Sequence, residues 1–362
     1  MLDFTSALYL GFTHPSGSAA PYPALTLGRP AALQEPPGAV SAANELASLQ
    51  GCEAATLLPS TLHLFWDLFG MLGRHDATIC IEASTYAIAR WGVLRGAALG
   101  TPVFTFPSGD TAALERLIGL AVEQRRRPLI VCDAVRPGHD RQAPLAHYAA
   151  LAAQHGGRLV LDDTQGLGIL GHSASTAAPL GHGGGGALRH HALAGDHIIV
   201  GASLAKGFGV PVAVLSGSRE MVRCFEARSQ TRVHGSPPSV ALIHAARHAL
   251  ALNRQCGDAL RAQLSQRVRQ FQRRLVQLRV GATGGDFPVQ TLTPPRGIDT
   301  LAMHAGLLER RVRTVLHHDG NTATRLSFIL TAAQTADCID RAVDALAQTL
   351  RPPARRRVAS TA

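Results

Sequence analysis

The sequence predicts an α/β fold: a large domain with a mostly parallel sheet sandwiched by helices, followed by a smaller C-terminal α/β domain. Two observations carry this. Short apolar runs (Ala77–Ile81, Pro102–Phe106, Pro128–Cys132, Arg158–Leu161, His197–Gly201 and Val212–Ser216) alternate with helix-like stretches at about 84–95, 110–124 and 144–155. Strands spaced by helices in this way pair in parallel and are covered on both faces. After Ser236-Pro237-Pro238 the texture changes to long Arg-studded amphipathic stretches at about 237–253 and 257–278, then to a second, shorter α/β pattern.

Taken in order, residues 1–40 are rich in Pro, Gly and Ala and read as an irregular arm. Ala42 to Gln50 has helical period. Ser60-Thr61 is an N-cap pair for a second helix running through Gly73. The alternating strands and helices then complete a large domain over residues 41–250. Strand-like Phe287–Leu292 and Leu326–Leu330 and a last helix near 335–349 place a small domain over 251–350, and the basic tail 351–362 is expected to be disordered.

Composition narrows the function classes. At 46% hydrophobic and 17% charged the 362-residue chain reads as a globular protein. No apolar run reaches the roughly 18 residues of a membrane span, and the N-terminus lacks the basic start of a signal peptide. A net charge of +10 raises nucleic acid as a partner, but the charge is spread out and aromatic residues make up only 5%. The expectation is no nucleic acid and no membrane. The six cysteines form no C-x-x-C pair, so a reducing cytoplasm is expected rather than a disulfide frame or a zinc site. A metal site at His190-His191, after the Gly183–Gly186 run that reads as a mobile loop, is not expected either.

Among 35 Lys+Arg residues there is one lysine, Lys206, in Ser203-Leu-Ala-Lys206-Gly-Phe-Gly209. Guanidinium does most jobs of a positive side chain as well as an amine does, but it cannot form an imine. Schiff-base chemistry needs a primary amine whose pKa can be lowered. Upstream, Asp162-Asp163 closes the run Leu159-Val-Leu, and a carboxylate at the end of a parallel strand points into the crevice where such sheets bind ligands. Gly166, Gly168 and Gly171 match G-x-G-x-x-G, yet neither an apolar helix nor an acidic residue follows where a dinucleotide site needs them. Ser60-Thr61 at a helix N-terminus offers a phosphate site, and Ser203 offers another hydroxyl; capping is their plainer role. An amine, a buried carboxylate, a phosphate pocket and an aromatic face together are what pyridoxal 5′-phosphate needs.

From Tyr9 onward the chain resembles the α-oxoamine synthases, the fold-type-I pyridoxal-phosphate family that includes 8-amino-7-oxononanoate synthase, 5-aminolevulinate synthase and 2-amino-3-ketobutyrate CoA ligase. The matching residues are Tyr9-Leu-Gly11, Glu45-Leu-Ala47, Pro59-Ser60, Ala143-Pro-Leu145, Asp162-Asp-x-x-Gly-x-Gly-x-x-Gly171, Ser203-x-x-Lys206, Pro237-Pro238 and Arg325-Leu. The resemblance implies a cytoplasmic homodimer with active sites at the interface. It also implies a decarboxylative, Claisen-like condensation of an amino acid with an acyl thioester carried on CoA or a carrier protein. Carried over by position, Lys206 holds the cofactor and shuttles the Cα proton, Asp162 pairs with the pyridine nitrogen, and Ser60, Thr61 and Ser203 hold the phosphate.

The departures lie on the substrate side. Tyr86 stands where the family stacks a histidine, and Gln165 where a histidine bonds the cofactor's phenolic oxygen. Pro137 replaces a serine, while Ala7 and Ser327 replace the asparagine and arginine that grip the substrate carboxylate. Arg325 either takes over that grip or serves in a structural salt bridge. His317 and His318 are read as acid, base or carboxylate contact, or as an exposed turn. Tyr86 keeps an aminotransferase or lyase of a biosynthetic pathway open as an alternative, and a non-catalytic binding module is a third reading, opposed by Lys206.

Overall fold

The computed structural model describes residues 1–14, 22, 24–73, 76–294, 297–319 and 323–350; the tail at 351–362 lies outside the described residues. The chain divides into two compact units. One comprises Leu8–Pro137 and Arg141–Gln263, the other Met1–Ala7, Gly138–Asp140 and the chain from Leu264 on.

The larger unit is built on a seven-stranded sheet in the order Ala54–Leu58, Ala213–Gly217, Ile198–Ser203, Arg158–Asp162, Arg127–Asp133, Ala77–Glu82, Val103–Phe106. From Ile198–Ser203 onward the neighbours are parallel, whereas Ala213–Gly217 is antiparallel to both of its own. All six apolar runs have become strands. The short edge strand Ala54–Leu58 is an addition, drawn in by its antiparallel pairing with Ala213–Gly217.

Alternating side chains feed two separate cores, as a sheet buried on both faces requires. Cys80, Ile130, Cys132, Leu159 and Leu161 pack with Leu114, Ile118 and Tyr148 from the helices Thr111–Glu123 and Leu145–Gln154. Their neighbours Ile79, Ile81, Leu129, Val131 and Val160 face the other way, onto Leu64, Phe65, Val93 and Phe225 from Thr61–Leu72, Ala87–Ala98 and Arg219–Arg228. Burying a side chain of this kind contributes roughly 1.5–3 kcal/mol. The two half-cores therefore hold the strand ends in fixed register.

Two expectations are corrected here. The stretches at 237–253 and 257–278 are one 38-residue helix, Val240–Gln277. Gly257 does not break it, since one interior glycine costs a helix only about 1 kcal/mol; a Cβ there would meet Asn253 Oδ1 at 2.4 Å and Arg261 Nη2 at 2.8 Å. Arg261 donates to Asn253 Oδ1 at 2.8 Å and to Asp258 Oδ1 at 2.6 Å, so the polar side chains of this stretch bond along the helix. The Gly183–Gly186 run is not a loose loop: Gly183 N–H donates to Asp258 Oδ1 and its carbonyl accepts from Asn253 Nδ2, while the Gly168 carbonyl accepts from Arg261.

The smaller unit contains a four-stranded antiparallel sheet in the order Val315–Asp319, Ala323–Ile329, Val289–Thr293, Gly281–Thr283, and a two-stranded parallel pair of Leu2–Asp3 with Val312–Arg313. The helices Thr300–Glu309 and Ala336–Leu350 complete it, and Phe328 anchors its core between Phe4 and Phe271. No helix among the described residues is long and apolar enough to cross a membrane.

Candidate functional site

At the carboxyl ends of the parallel strands in the larger unit lies a cavity of about 300 Å³. Each wall follows from the local fold. Asp162 and Asp133 are the last residues of adjacent strands and face each other as register partners. Lys206 stands in the turn after Ile198–Ser203, Tyr86 precedes the helix Ala87–Ala98, and Thr61 opens Thr61–Leu72. Thr164, Gln165 and Ser203 fill the floor between them.

The turn bearing Lys206 is fixed by close backbone packing. A Cβ on Gly207 would lie 2.3 Å from the Leu167 carbonyl oxygen, so the residue after Lys206 must be glycine for the two segments to meet. Of the G-x-G-x-x-G glycines, Gly168 packs against Gly207 beside Lys206, whereas a Cβ on Gly166 would meet Asp163 Oδ1 and one on Gly171 the His182 carbonyl oxygen.

Electrostatics distinguish the three charged groups. Burial raises the Asp162 carboxyl above the usual range, opposed by the side-chain and backbone hydrogen bonds of Thr164, whose N–H reaches Oδ1 at 2.9 Å, and by Lys206. Burial lowers the Lys206 amine, opposed by Asp162 and Asp133. Asp133 is pushed up to about 8, first by burial and then by Asp162, against the Tyr86 N–H and Lys206.

The structure brings Lys206, Asp162, Gln165, Thr61, Tyr86 and Ser203 around this one cavity. Ser60 is not among its lining residues. Its Oγ caps the helix, accepting from His63 N–H and contacting His63 Nδ1 at 2.8 Å. Tyr9 O–H, held protonated by burial, donates to Gln165 Oε1 at 2.6 Å and turns the carboxamide's donor end elsewhere. Ser203 Oγ accepts from Ala205 N–H, and Ser203 N–H donates to Thr164 Oγ1. Arg325, His317 and His318 belong to the smaller unit, where His317 is the register partner of Arg325 and His318 of Thr324.

Asp133 and Thr164 are cavity residues absent from the sequence candidates. Asp133 carries the same signal as Asp162, a carboxylate closing an apolar strand, but Ala134-Val135 after it lacks the turn glycines that mark Asp162. Thr164 is announced only by its place between Asp162 and Gln165.

The donor set fits pyridoxal 5′-phosphate: one amine of lowered basicity beside a buried carboxylate, hydroxyls of Thr61, Thr164 and Ser203 on the same cavity, and the Tyr86 ring at its rim. A family model for aminotransferase class I and II matches residues 25–346.

The chain belongs to this family.

Within the aminotransferase class I and II family it is a pyridoxal-phosphate-dependent transferase of the α-oxoamine synthase type. It is 30% identical over 285 residues to the 8-amino-7-oxononanoate synthase of Aromatoleum aromaticum, covering 76% of this chain and 68% of that one. To the 8-amino-7-oxononanoate synthase of Alkalilimnicola ehrlichii it is 30% identical over 314 residues, 84% of this chain and 75% of that one. Among solved structures, the serine palmitoyltransferase of Sphingomonas wittichii superposes with a TM-score of 0.82 at 16% identity, over 96% of this chain and 86% of that one. The 8-amino-7-oxononanoate synthase of Francisella tularensis gives 0.74 at 16% identity, over 96% and 97%. At such identities these structures speak for the fold.

Proposed function

We propose that this transferase joins an amino acid to an acyl thioester, with loss of CO2 and of the thiol. The observation that carries the reading is the single lysine set beside a buried carboxylate in one cavity at the sheet's carboxyl edge. Lys206 Nζ would hold the cofactor covalently, Asp162 would pair with its ring nitrogen, Gln165 would donate to its phenolic oxygen, and the Tyr86 ring would cover one face. Thr61 N–H and hydroxyl, with Ser203 and the helix end capped by Ser60, would hold its phosphate. When bound, the group supplies an electron sink for the pair released at the substrate Cα.

The chain's own residues do the rest. Lys206, less basic than a free amine, takes and returns a proton at Cα. Asp162, itself buried, would stay ionised opposite a protonated ring nitrogen and maintain that charge pair. Arg325 and His317, register partners on paired strands, are the proposed contacts for a substrate carboxylate; His318, the other candidate, has a side chain that lies outside those described.

We also infer a homodimer with its sites at the interface. Leu62, Trp66, Trp91 and Leu94 are 41–59% exposed on the neighbouring helices Thr61–Leu72 and Ala87–Ala98, beside the cavity residues Thr61 and Tyr86. Apolar surface of this kind is best covered by a second subunit. Six free cysteines suit a reducing, cytoplasmic location.

The test is to incubate the cofactor-loaded enzyme with amino acids and either acyl-CoA or acyl-carrier thioesters, and to measure free thiol and CO2. Release of both with one pair supports condensation. Release of neither, with conversion of the cofactor to its amine form by an amino donor alone, would make it an aminotransferase.

A further inference from the structure

Three adjacent parallel strands, Ala77–Glu82, Arg127–Asp133 and Arg158–Asp162, each end in a carboxylate: Asp133 is the register partner of Asp162, Glu82 turns to the opposite face of the sheet onto Tyr148, and Lys206 is the amine near the Asp133–Asp162 pair. The three are not equally provided with donors. Glu82 is fully buried and accepts from Gly109 N–H, Tyr148 O–H and Ser84 O–H. Asp162 accepts from both the N–H and the side chain of Thr164. Asp133 is reached by one donor among the described residues, the Tyr86 N–H, which lies 3.1 Å from each of its oxygens. It also lines the Lys206 cavity, with Val135, Ile88 and Pro137 around it.

Like charges this close cannot all be held in a desolvated site, and the proton goes to the member with the least hydrogen-bond support. We propose that Asp133 is a further substrate-contacting residue, presenting a carboxylic acid O–H to a carbonyl or carboxylate oxygen of the substrate in the Lys206 cavity. This rests on the functional reading above and adds to it a proton donor within the same cavity.

The surroundings set the pH range. Asp162 beside Asp133, and Glu82 across the sheet, favour its neutral form, and Lys206 opposes it; Cys132 is its chain neighbour. On the packed helices, the Tyr148 phenol is bonded to Glu82, and the Arg90 guanidinium to the Glu82 and Ala83 carbonyls. With the carboxyl at about 8, the O–H is present at pH 7 and is lost on passing above pH 8.

Two measurements on the cofactor-loaded protein test this. The first is the infrared difference between wild type and Asp133→Asn, which needs no substrate. It is expected to contain a protonated-carboxyl stretch at pH 7 that vanishes above pH 8; carboxylate bands alone at pH 7 would overturn the proposal. The second is equilibrium binding of L-alanine, read from the cofactor absorption between pH 6 and 9. Wild-type affinity falls as pH rises through about 8, Asp133→Asn binds without that dependence, and Asp133→Ala binds about tenfold more weakly at pH 7, the worth of one good hydrogen bond. Equal losses in the Asn and Ala variants, or a pH dependence that survives in Asp133→Asn, would overturn it. Neither readout requires the condensed product, so an enzyme that fails to condense leaves this result interpretable.

Discussion

Asp133 and Asp162 are register partners on adjacent parallel strands and end at the same cavity as Lys206. Two carboxylates and one amine in a buried pocket make every charge there depend on the others. The following outcomes are expected from that arrangement.

Replacing Asp162 by Asn keeps the shape of the site and the hydrogen bond from Thr164, but removes the charge that would face the cofactor's ring nitrogen. Turnover is expected to fall by about 10²–10³ at little cost in folding, as when a preorganised electrostatic group is lost. Parallel measurements of kcat and of unfolding by denaturant distinguish this from a folding defect. An unchanged kcat would remove Asp162 from its proposed role.

Asp163, buried behind the site with Oδ2 accepting from Ala187 N–H, has its carboxyl pushed up to about 8 by burial. Between the ordinary carboxyl value near 4 and pH 8 the folded state therefore holds a proton that the unfolded chain has released. The stability gained from that proton is complete below about pH 4 and falls as pH rises to 8. Asp163→Asn is expected to flatten the decline, which thermal unfolding of the cofactor-free protein at pH 5, 7 and 9 would register. A steeper decline in the variant would reverse the sign of this account.

Arg261 is 2% exposed and ties the Gly168 carbonyl, Asn253 and Asp258 together. Arg261→Ala leaves a cavity and strips those acceptors of their donor, so a loss of about 3 kcal/mol or more is expected from denaturant unfolding. Because Gly168 packs beside Gly207, the loss should extend to cofactor affinity.

Trp91→Glu and Leu94→Glu place charge on the exposed apolar face beside Tyr86. Sedimentation velocity is expected to shift the protein from dimer to monomer with each. A monomeric wild type would rule out the inferred interface.

Much of this molecule could be read along the chain because its information is local. Each apolar run became a strand, and the carboxylate at the end of Arg158–Asp162 and the amine after Ile198–Ser203 fell on one cavity because parallel strands all end on the same side. What could not be read depends on pairing between distant segments. Asp133 matters through its register with Asp162, which no spacing of 29 residues reveals by itself. His317 and Arg325 meet through the antiparallel pairing of Ala323–Ile329 with Val315–Asp319, a strand that carries two histidines and an aspartate and so lacks an apolar signature. Val240–Gln277 runs on through Gly257, where Asn253 and Arg261 close over a position that composition alone marks as a break.

The one lysine of this chain is the proposed tether of the cofactor. Borohydride reduction of the cofactor-loaded protein, followed by peptide mapping, tests it directly, since the other primary amine encoded by the sequence is the chain's N-terminus. A stable phosphopyridoxyl label is expected on the peptide containing Lys206, and loss of that label in Lys206→Ala. Label on the N-terminal peptide alone, or a protein that takes up the cofactor without being labelled, would contradict it.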